Sequence, residues 1–320
     1  MKLRVKAHKK TVDIVTSAFN EQDCLEELYS RISKTFQSES NYNWRLIICD
    51  NNSEDKTWQV ISSLNKLDKR VVGIKLSRNF LFDNSITCGL DFCTSDLAIV
   101  MCSDLQDPPE VIPRLLREFE AGYDQIVVNV SKRTYLNPIR RVLVKLFYYL
   151  INRSSDGLVR SNVPDFRLMS RKCYEASRLL RERKRFMRGI MAWSGFKTKE
   201  IHIERALRTS GISKFGSTNL FKLISDGLDS IFAFSIIPIR LIMYFGLTLS
   251  FFSLLALMIF IPMIFVTGIP FAGFGTIVSL LLFGFSSVLG ALGIVGNYVG
   301  LIYEEVKARP IYVIEKCLGI

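Results

Sequence analysis

The stretch "LAIVMCSDLQDPPEVIPRLLREFEAGYDQIVVNV", residues 97–130, contains the repeating unit that decides the fold. An apolar run ends in acidic and amide side chains, and a proline pair then opens an amphipathic segment that ends in glycine. Proline in the first turn and glycine just past the end are typical of a helix. A second apolar run follows. The stretch therefore predicts a strand over 97–103, a helix over 108–122 and a strand over 124–130.

The same alternation occurs earlier in the chain. Three apolar runs predict strands, over 11–17, 44–50 and 71–77. A helix is expected from about Gln22 to Phe36, and Ser53 is expected to cap a second helix because its side chain can accept an N-terminal amide hydrogen bond. Continuous apolar strands that alternate with helices indicate a mostly parallel sheet covered on both faces. The predicted fold class is therefore α/β.

Acidic and amide side chains follow three of these strands. They are Asn20 and Glu21, then Asp50, Asn51 and Asn52, then Asp104, Gln106 and Asp107. Ligands of open parallel sheets bind beyond the carboxyl ends of the strands, so we expect these side chains to line a ligand site. Neither the G-x-G-x-x-G nor the G-x-x-x-x-G-K-[ST] motif occurs, so a nucleotide would be bound without those glycine-rich loops.

A long uncharged stretch lies near the carboxyl terminus. No charged residue occurs between Arg240 and Glu304, which leaves room for two membrane spans of about 20 residues each. The segment "TGIPFAGFG" predicts a turn, with spans near 241–266 and 275–302. A buried soluble hairpin is the alternative, but soluble helices of this length carry charges on one face. Since the turn lacks Lys and Arg, the positive-inside rule places both termini in the cytoplasm.

The charge of the chain indicates acidic partners. Formal net charge is +12, and basic clusters occur at 132–153, 178–188 and 204–216. Any single cluster fits a solvated helix face, but several clusters before a membrane anchor favour membrane lipids and phosphates over nucleic acid. The seven cysteines contain no CxxC pair and fit reduced thiols of a cytosolic domain.

Seven short motifs carry a resemblance to a known family. They occur in the order "TSAFNE", "ICDNNSED", "LSRNF", "SDLQDPPE", "DFRLMSR", "RFMRGIMAWSGF" and "SGISKF". This series resembles the polyprenyl-phosphate glycosyltransferases, which are family-2 enzymes of GT-A (Rossmann-like) fold such as dolichol-phosphate mannose synthases. The spans and the tail "YEEVKARPIYVIE" are similar to bacterial enzymes that glucosylate bactoprenol phosphate for O-antigen modification.

The resemblance implies an organisation for the whole chain. A cytoplasmic GT-A domain would cover 1–215, juxtamembrane amphipathic helices 216–240, two transmembrane helices 241–302, and a cytoplasmic tail 303–320. The protein would then be a multi-pass protein of the bacterial inner membrane. Glycines in "GALGIVGNYVG" permit close helix contacts and favour a homo-oligomer.

The resemblance also implies roles for individual residues. Phe19, Glu21 and Asp50 would contact the uracil or ribose of a nucleotide sugar, and Arg208, Ser213 and Lys214 would close over its phosphates. Asp104 would be the surviving acid of the DxD motif and would, with Gln106, bind Mg²⁺ or Mn²⁺ at the diphosphate. Arg133 and Arg140 would hold the phosphate of the acceptor.

Two positions depart from the family pattern. Asn51 and Asn52 stand where an acid and a glycine are usual, and Cys102 replaces the first acid of DxD. Mg²⁺ is often bound by one or two carboxylates plus substrate phosphates, so Asp104 and Gln106 could suffice in the presence of the donor. We expect low affinity for free metal and no ligation by Cys102.

A lipid phosphate acceptor makes few chemical demands. Its oxygen is already an anion near pH 7, so a strong general base is unnecessary, and direct displacement would invert the anomeric configuration. Asp165 is the best acidic candidate near the acceptor, with an ion pair or a helix cap as the alternative reading, and Asp156 is a weaker candidate. The predicted reaction is transfer of one glucose from UDP-glucose to undecaprenyl phosphate.

Three alternatives stay open. The sugar could be mannose, N-acetylglucosamine or a modified pentose, since no residue is tied to a sugar hydroxyl. A processive polysaccharide synthase is disfavoured because Trp193 lies in "MAWSG", which lacks the QxxRW motif, and because two spans do not easily enclose a polymer pore. A non-catalytic lipid-binding scaffold is kept open by the substitution at Cys102.

Overall fold

The computed structural model describes residues 9–130, 165–183, 185, 187–203 and 273–320, together with positions 239, 241–246, 248–249, 251–252, 255, 258 and 266. The amino-terminal elements are β1 (Lys10–Ala18), α1 (Leu25–Gln37), β2 (Tyr42–Asp50), α2 (Thr57–Leu67), β3 (Val71–Leu76), α3 (Phe82–Asp91) and β4 (Leu97–Val100). A 3-10 turn (Pro109–Val111), α4 (Ile112–Glu120), β5 (Gln125–Val130), β6 (Arg167–Ser170), α5 (Arg171–Leu179), α6 (Met187–Trp193), β7 (Thr198–Ile203), α7 (Phe274–Val306) and β8 (Ile314–Leu318) follow.

The strands form one mostly parallel sheet in the order β7-β5-β6-β4-β1-β2-β3-β8. β1 pairs in parallel with β2 and β4, β2 with β3, and β5 with β7. β6 is antiparallel to β4 and β5, and β8 is antiparallel to β3. The predicted α/β class and the Rossmann-like parallel sheet are therefore confirmed.

Helices cover both faces of the sheet, which is why the central strands are apolar throughout. Successive side chains of a strand point to opposite faces. On β1, Val12 belongs to the hydrophobic cluster under α1, α2 and α4, whereas Val15 belongs to the cluster under α3, α5 and α6. Both residues are fully buried. The continuous apolar runs thus reflect burial on two sides.

Several predicted boundaries were wrong. Helix α1 begins at Leu25 rather than at about Gln22, and α4 begins at Ile112 after a 3-10 turn rather than at 108. β4 ends at Val100, three residues before the predicted end at 103, because the following loop hydrogen-bonds to its own side chains. Helix α2 begins at Thr57, and Ser53 does not cap it. The Ser53 hydroxyl oxygen instead accepts the Asn20 backbone N–H at 3.0 Å. Asp55 Oδ1 accepts the Thr57 backbone N–H at 2.9 Å.

The carboxyl-terminal region combines a long apolar helix with an edge strand. Within α7, the segment Phe283–Val306 is the one helix among the described residues that is long and apolar enough to cross a membrane. The described positions between 239 and 266 are helical, but half of the predicted first span lies outside the described residues. β8 pairs with β3 through Ile74 and Cys317, so the tail completes the sheet. That pairing was not predicted.

Candidate active site

The loops after β1 and β2 are locked together at the carboxyl edge of the sheet. The Asn20 side-chain oxygen accepts the Glu54 backbone N–H at 2.9 Å, in addition to the Ser53 contact. The Glu21 backbone N–H donates to Thr57 Oγ1 at 3.0 Å. Asn20 has φ 53°, a conformation that asparagine tolerates better than most residues. Phe19 and Glu21 are therefore presented, partly exposed, by a fixed loop.

Asp50 ends β2 beside Ala18 of β1 and is fully buried. Its Oδ1 atom accepts the Ser53 backbone N–H at 3.0 Å. Its Oδ2 atom is buried and has no hydrogen-bond partner within the described part of the chain. Burial raises the pKa of the Asp50 carboxyl above its usual value, and the Ser53 hydrogen bond opposes that rise. A buried acceptor without a donor is unfavourable, so Oδ2 is suited to a donor on a ligand.

Partly exposed and buried side chains alternate in the loop after β4. Cys102, Asp104 and Gln106 are partly exposed, whereas the intervening Ser103 and Leu105 are buried. The Ser103 hydroxyl donates to the Ser17 carbonyl at 2.9 Å, which ties the loop to β1. Asp104 Oδ1 accepts the Gln106 backbone N–H at 3.2 Å. The predicted metal-binding pair, Asp104 and Gln106, therefore lies on the same side of one tethered loop.

Cys102 is a neutral thiol in this loop. Burial raises its pKa well above the usual range, and the carboxylates of Asp107 and Asp104 raise it further. A neutral thiol is a poor ligand for a hard cation, which prefers oxygen. The buried Asp107 is engaged within the loop, because its Oδ2 accepts the Cys102 backbone N–H at 2.9 Å.

The donor set fits a divalent cation only in part. No group of three or more His, Cys, Asp or Glu side chains is arranged to hold a metal ion in the described portions of the chain. One carboxylate and one amide, from Asp104 and Gln106, fit the way Mg²⁺ is commonly held, with substrate phosphates supplying further oxygens.

Asp165 joins the site from the other side of β4. It precedes β6, whose first residue Arg167 pairs with Val100, the last residue of β4. This register brings Asp165 close enough to Cys102 to raise the pKa of the thiol. Arg188 of α6 donates to both Asp165 carboxylate oxygens, from Nε at 2.9 Å and from Nη2 at 2.7 Å. Asp165 therefore forms an ion pair, as one of its two predicted roles requires. This ion pair is compatible with the other role, an acid near the acceptor.

Sequence reasoning missed two charged residues here. Arg188 lies inside the motif "RFMRGIMAWSGF", but the sequence analysis assigned no role to it. Asp83, in the first turn of α3, is close to Asp165 and Arg188.

Six predicted residues lie outside the described residues, and the structure says nothing of them: Arg133, Arg140, Asp156, Arg208, Ser213 and Lys214.

Comparisons with known proteins agree with the motifs. The sequence model described as glycosyl transferase family 2 matches residues 13–177. The SfII prophage-derived bactoprenol glucosyl transferase of Shigella flexneri is 37% identical over 308 residues, covering 95% of this chain and 97% of that protein. The prophage bactoprenol glucosyl transferase homolog of Escherichia coli is 34% identical over 310 residues, covering 95% of this chain and 98% of that protein.

Solved structures resemble the chain more distantly. Glucosyl-3-phosphoglycerate synthase from Mycobacterium tuberculosis, in complex with Mn²⁺, UDP and glucosyl-3-phosphoglycerate, is 15% identical, with a TM-score of 0.46. The match covers 70% of this chain and 78% of that chain. Nothing about activity follows at this level of similarity. The family match and the relatives at over 30% identity decide the assignment: the chain belongs to glycosyl transferase family 2 and is a transferase enzyme.

Proposed function

We propose that the protein transfers a single glucose from UDP-glucose to undecaprenyl or another polyprenyl phosphate at the cytoplasmic face of the bacterial inner membrane. One observation carries the proposal: Asp50, Asp104 and the Asp165–Arg188 pair lie along the same edge of a sheet whose last strand follows an apolar helix of membrane-spanning length. The relatives that are bactoprenol glucosyl transferases by name support the same acceptor and sugar.

The nucleotide would lie over the loops that follow β1 and β2. Because Asp50 is fully buried, donor binding would first have to shift the residues that cover it; its Oδ2 would then accept a hydrogen bond from the uracil N–H or a ribose hydroxyl. Phe19 and Glu21 would flank the same group, because both are partly exposed beside the end of β1. Arg208, Ser213 and Lys214 are proposed to close over the diphosphate.

Asp104 and Gln106 would hold Mg²⁺ or Mn²⁺ at the donor diphosphate. Such an ion stabilises the negative charge of the departing nucleoside diphosphate. Cys102 would take no part in binding, since a hard cation prefers oxygen ligands to sulfur. The metal site would then be complete only with the donor present, and free metal would bind weakly.

The acceptor would approach from the Asp165 side. Because its phosphate is already an anion, Asp165 is not required to remove a proton, and its ion pair with Arg188 suits a role in charge balance and orientation. Arg133 and Arg140 are proposed to hold the acceptor phosphate, and Asp156 is the weaker acidic candidate. In-line attack by the phosphate oxygen would invert the anomeric carbon.

A second membrane crossing follows from the sheet pairing if α7 spans the membrane. β8 follows α7 and pairs with β3, so both ends of the chain between 203 and 314 lie on one side of the membrane. One crossing by α7 then requires another crossing between 204 and 273, where 241–266 is the proposed span. Arg240 and Lys307 flank the two spans and favour the cytoplasm for this side.

We also propose a homo-oligomer. Open space surrounds Gly290, Gly293, Gly296 and Gly300 within the described part of the chain. Small residues spaced in this way allow close contact between membrane helices.

Purified full-length protein in lipid vesicles, with polyprenyl phosphate, labelled UDP-glucose and Mg²⁺ or Mn²⁺, tests the function. A lipid carrying one sugar, formed only with metal, is the expected product. Polymer would indicate a processive synthase instead, and lipid binding without turnover of any nucleotide sugar would indicate a scaffold. Competition by UDP-N-acetylglucosamine and GDP-mannose identifies the sugar, since the preferred donor should suppress glucose transfer.

A further inference from the structure

Asn51 lies where the ends of β1 and β2 meet the loop after β3. Its backbone N–H donates to the Ala18 carbonyl, at the end of β1, at 2.8 Å. It directly follows Asp50, the last residue of β2. Its side chain is 3% exposed and contacts the loop after β3 through both of its polar atoms. A side chain this buried acts on a ligand through its neighbours rather than by direct contact.

The two side-chain hydrogen bonds of Asn51 hold residues 77–81, which we call the β3 loop. Asn51 Oδ1 accepts the Phe80 backbone N–H at 2.8 Å, and Asn51 Nδ2 donates to Asn79 Oδ1 at 3.0 Å. Asn79 Oδ1 also accepts the Leu81 backbone N–H at 2.9 Å. Because a backbone N–H only donates, these contacts fix which atom of each amide is the oxygen. An aspartate at position 51 has no N–H to donate to Asn79, so it cannot reproduce this arrangement.

The β3 loop keeps a defined conformation although it is largely exposed. The Ser77 backbone N–H donates to the Val313 carbonyl, just before β8, at 2.9 Å. Leu81 is 73% exposed and has φ 69°, a left-handed conformation that is unfavourable for leucine. Such a conformation persists only where the surrounding structure determines it. The hydrogen bonds from Leu81 to Asn79 and from Asn51 to Asn79 do so here.

The β3 loop lies beside the proposed nucleotide site. Asp50 pairs with Lys75 in the parallel register of β2 and β3, and the loop begins two residues after Lys75. A ligand that packs against a loop loses affinity when binding must first order that loop. Because Asn51 fixes the loop in the free protein, the nucleotide meets one side of its site already ordered.

We propose that Asn51 is a positioning residue that holds the β3 loop against the end of β2 and thereby raises the affinity for the nucleotide donor. The inference rests on the proposed function, because it takes the nucleotide to bind at Asp50. Once the donor is bound, the loop has the same arrangement with or without the Asn51 contact, so the chemical step is unaffected. Loss of an interaction that stabilises the bound substrate and the transition state equally raises KM and leaves kcat unchanged.

Substitution Asn51→Asp tests this, because it keeps the shape of the side chain and removes its N–H₂ group. The carboxylate still accepts the Phe80 N–H, but its other oxygen faces Asn79 Oδ1 without a hydrogen between them. We expect the KM for UDP-glucose to rise by about 2- to 12-fold, which corresponds to one neutral hydrogen bond, with kcat unchanged. Asn79→Asp adds the same charge but keeps both acceptor contacts, so it should raise KM less. Asn43→Asp, exposed at the opposite end of β2, is the matched control and should behave as wild type.

Hydrogen exchange of the peptide that contains Phe80 and Leu81 tests the loop without any substrate. Exchange should be faster in Asn51→Asp than in wild type, and it should stay near the wild-type rate in Asn79→Asp. Unchanged exchange or unchanged KM in Asn51→Asp, an equal rise of KM in Asn79→Asp, or a lower kcat without a rise in KM would overturn the inference alone. Wild-type protein that neither binds UDP nor transfers glucose would overturn the proposed function and the inference with it.

Discussion

Asp50→Asn should weaken UDP binding while making the free protein more stable. Asp50 Oδ2 is buried without a hydrogen-bond partner in the described part of the chain, and burial raises the pKa of its carboxyl. At neutral pH the ionised carboxylate therefore destabilises the fold until a ligand donor reaches it. Asparagine removes the buried charge and offers an N–H₂ group in the position where the ligand presents its own donor.

The size of the effect follows from one hydrogen bond. A hydrogen bond to a charged group contributes about 1.5–3 kcal/mol. At about 1.4 kcal/mol for each tenfold change, its loss weakens UDP affinity by about 10- to 150-fold. The melting temperature without nucleotide should rise at pH 7.5, and this gain should shrink as the pH falls towards the ordinary pKa of aspartate.

Calorimetric titration of UDP with Mn²⁺ measures the affinity, and thermal unfolding without nucleotide measures the stability. Glu26→Gln on the exposed face of α1 makes the same chemical change away from the site and should alter neither quantity. Unchanged UDP affinity, or a lower melting temperature in Asp50→Asn, would refute the assignment of Oδ2 to the nucleotide.

Further predictions concern the metal, the core and the backbone. Asp104→Ala should abolish transfer and Cys102→Ala should not, as measured by glucose transfer to polyprenyl phosphate; equal loss would mean that the thiol is a ligand. Asp13→Ala should lower the free energy of unfolding by about 3–5 kcal/mol, because it leaves Arg45 without its fully buried partner; denaturant titration measures this. Leu81 is exposed with φ 69° and ψ 170°, so Leu81→Gly should stabilise by about 1 kcal/mol in the same titration, and a loss would contradict the strain.

The central sheet could be predicted because its signal is local. β1, β2 and β3 are buried on both faces, and continuous apolar runs mark such strands in any sequence. β8 has no comparable signal. Its pattern "IEKCL" is half polar and exposed, and it becomes a strand by pairing with β3, far away in the chain.

Sequence reasoning about the site was limited to what single strand ends could show. Asp50, Asp104 and Gln106 were proposed because each follows an apolar run, and their roles stay predictions. The error at Ser53 arose because a capping signal is local. It does not reveal that the Ser53 hydroxyl oxygen accepts the Asn20 backbone N–H from another loop. Arg188 was missed because its contact with Asp165 joins two segments that are 23 residues apart in the sequence.

The segment between α5 and α6 connects the long apolar helix α7 with the site. The Arg183 backbone N–H donates to Glu305 Oε1 at 2.6 Å, at the end of α7. Arg181 binds Asp91 of α3 through two hydrogen bonds, and Asp91 also accepts the Tyr312 hydroxyl at 2.7 Å. The same segment continues directly into α6 and its Arg188. The position of α7 and the orientation of the Asp165–Arg188 pair therefore depend on one stretch of chain, so the long apolar helix is connected to the framework that holds the site.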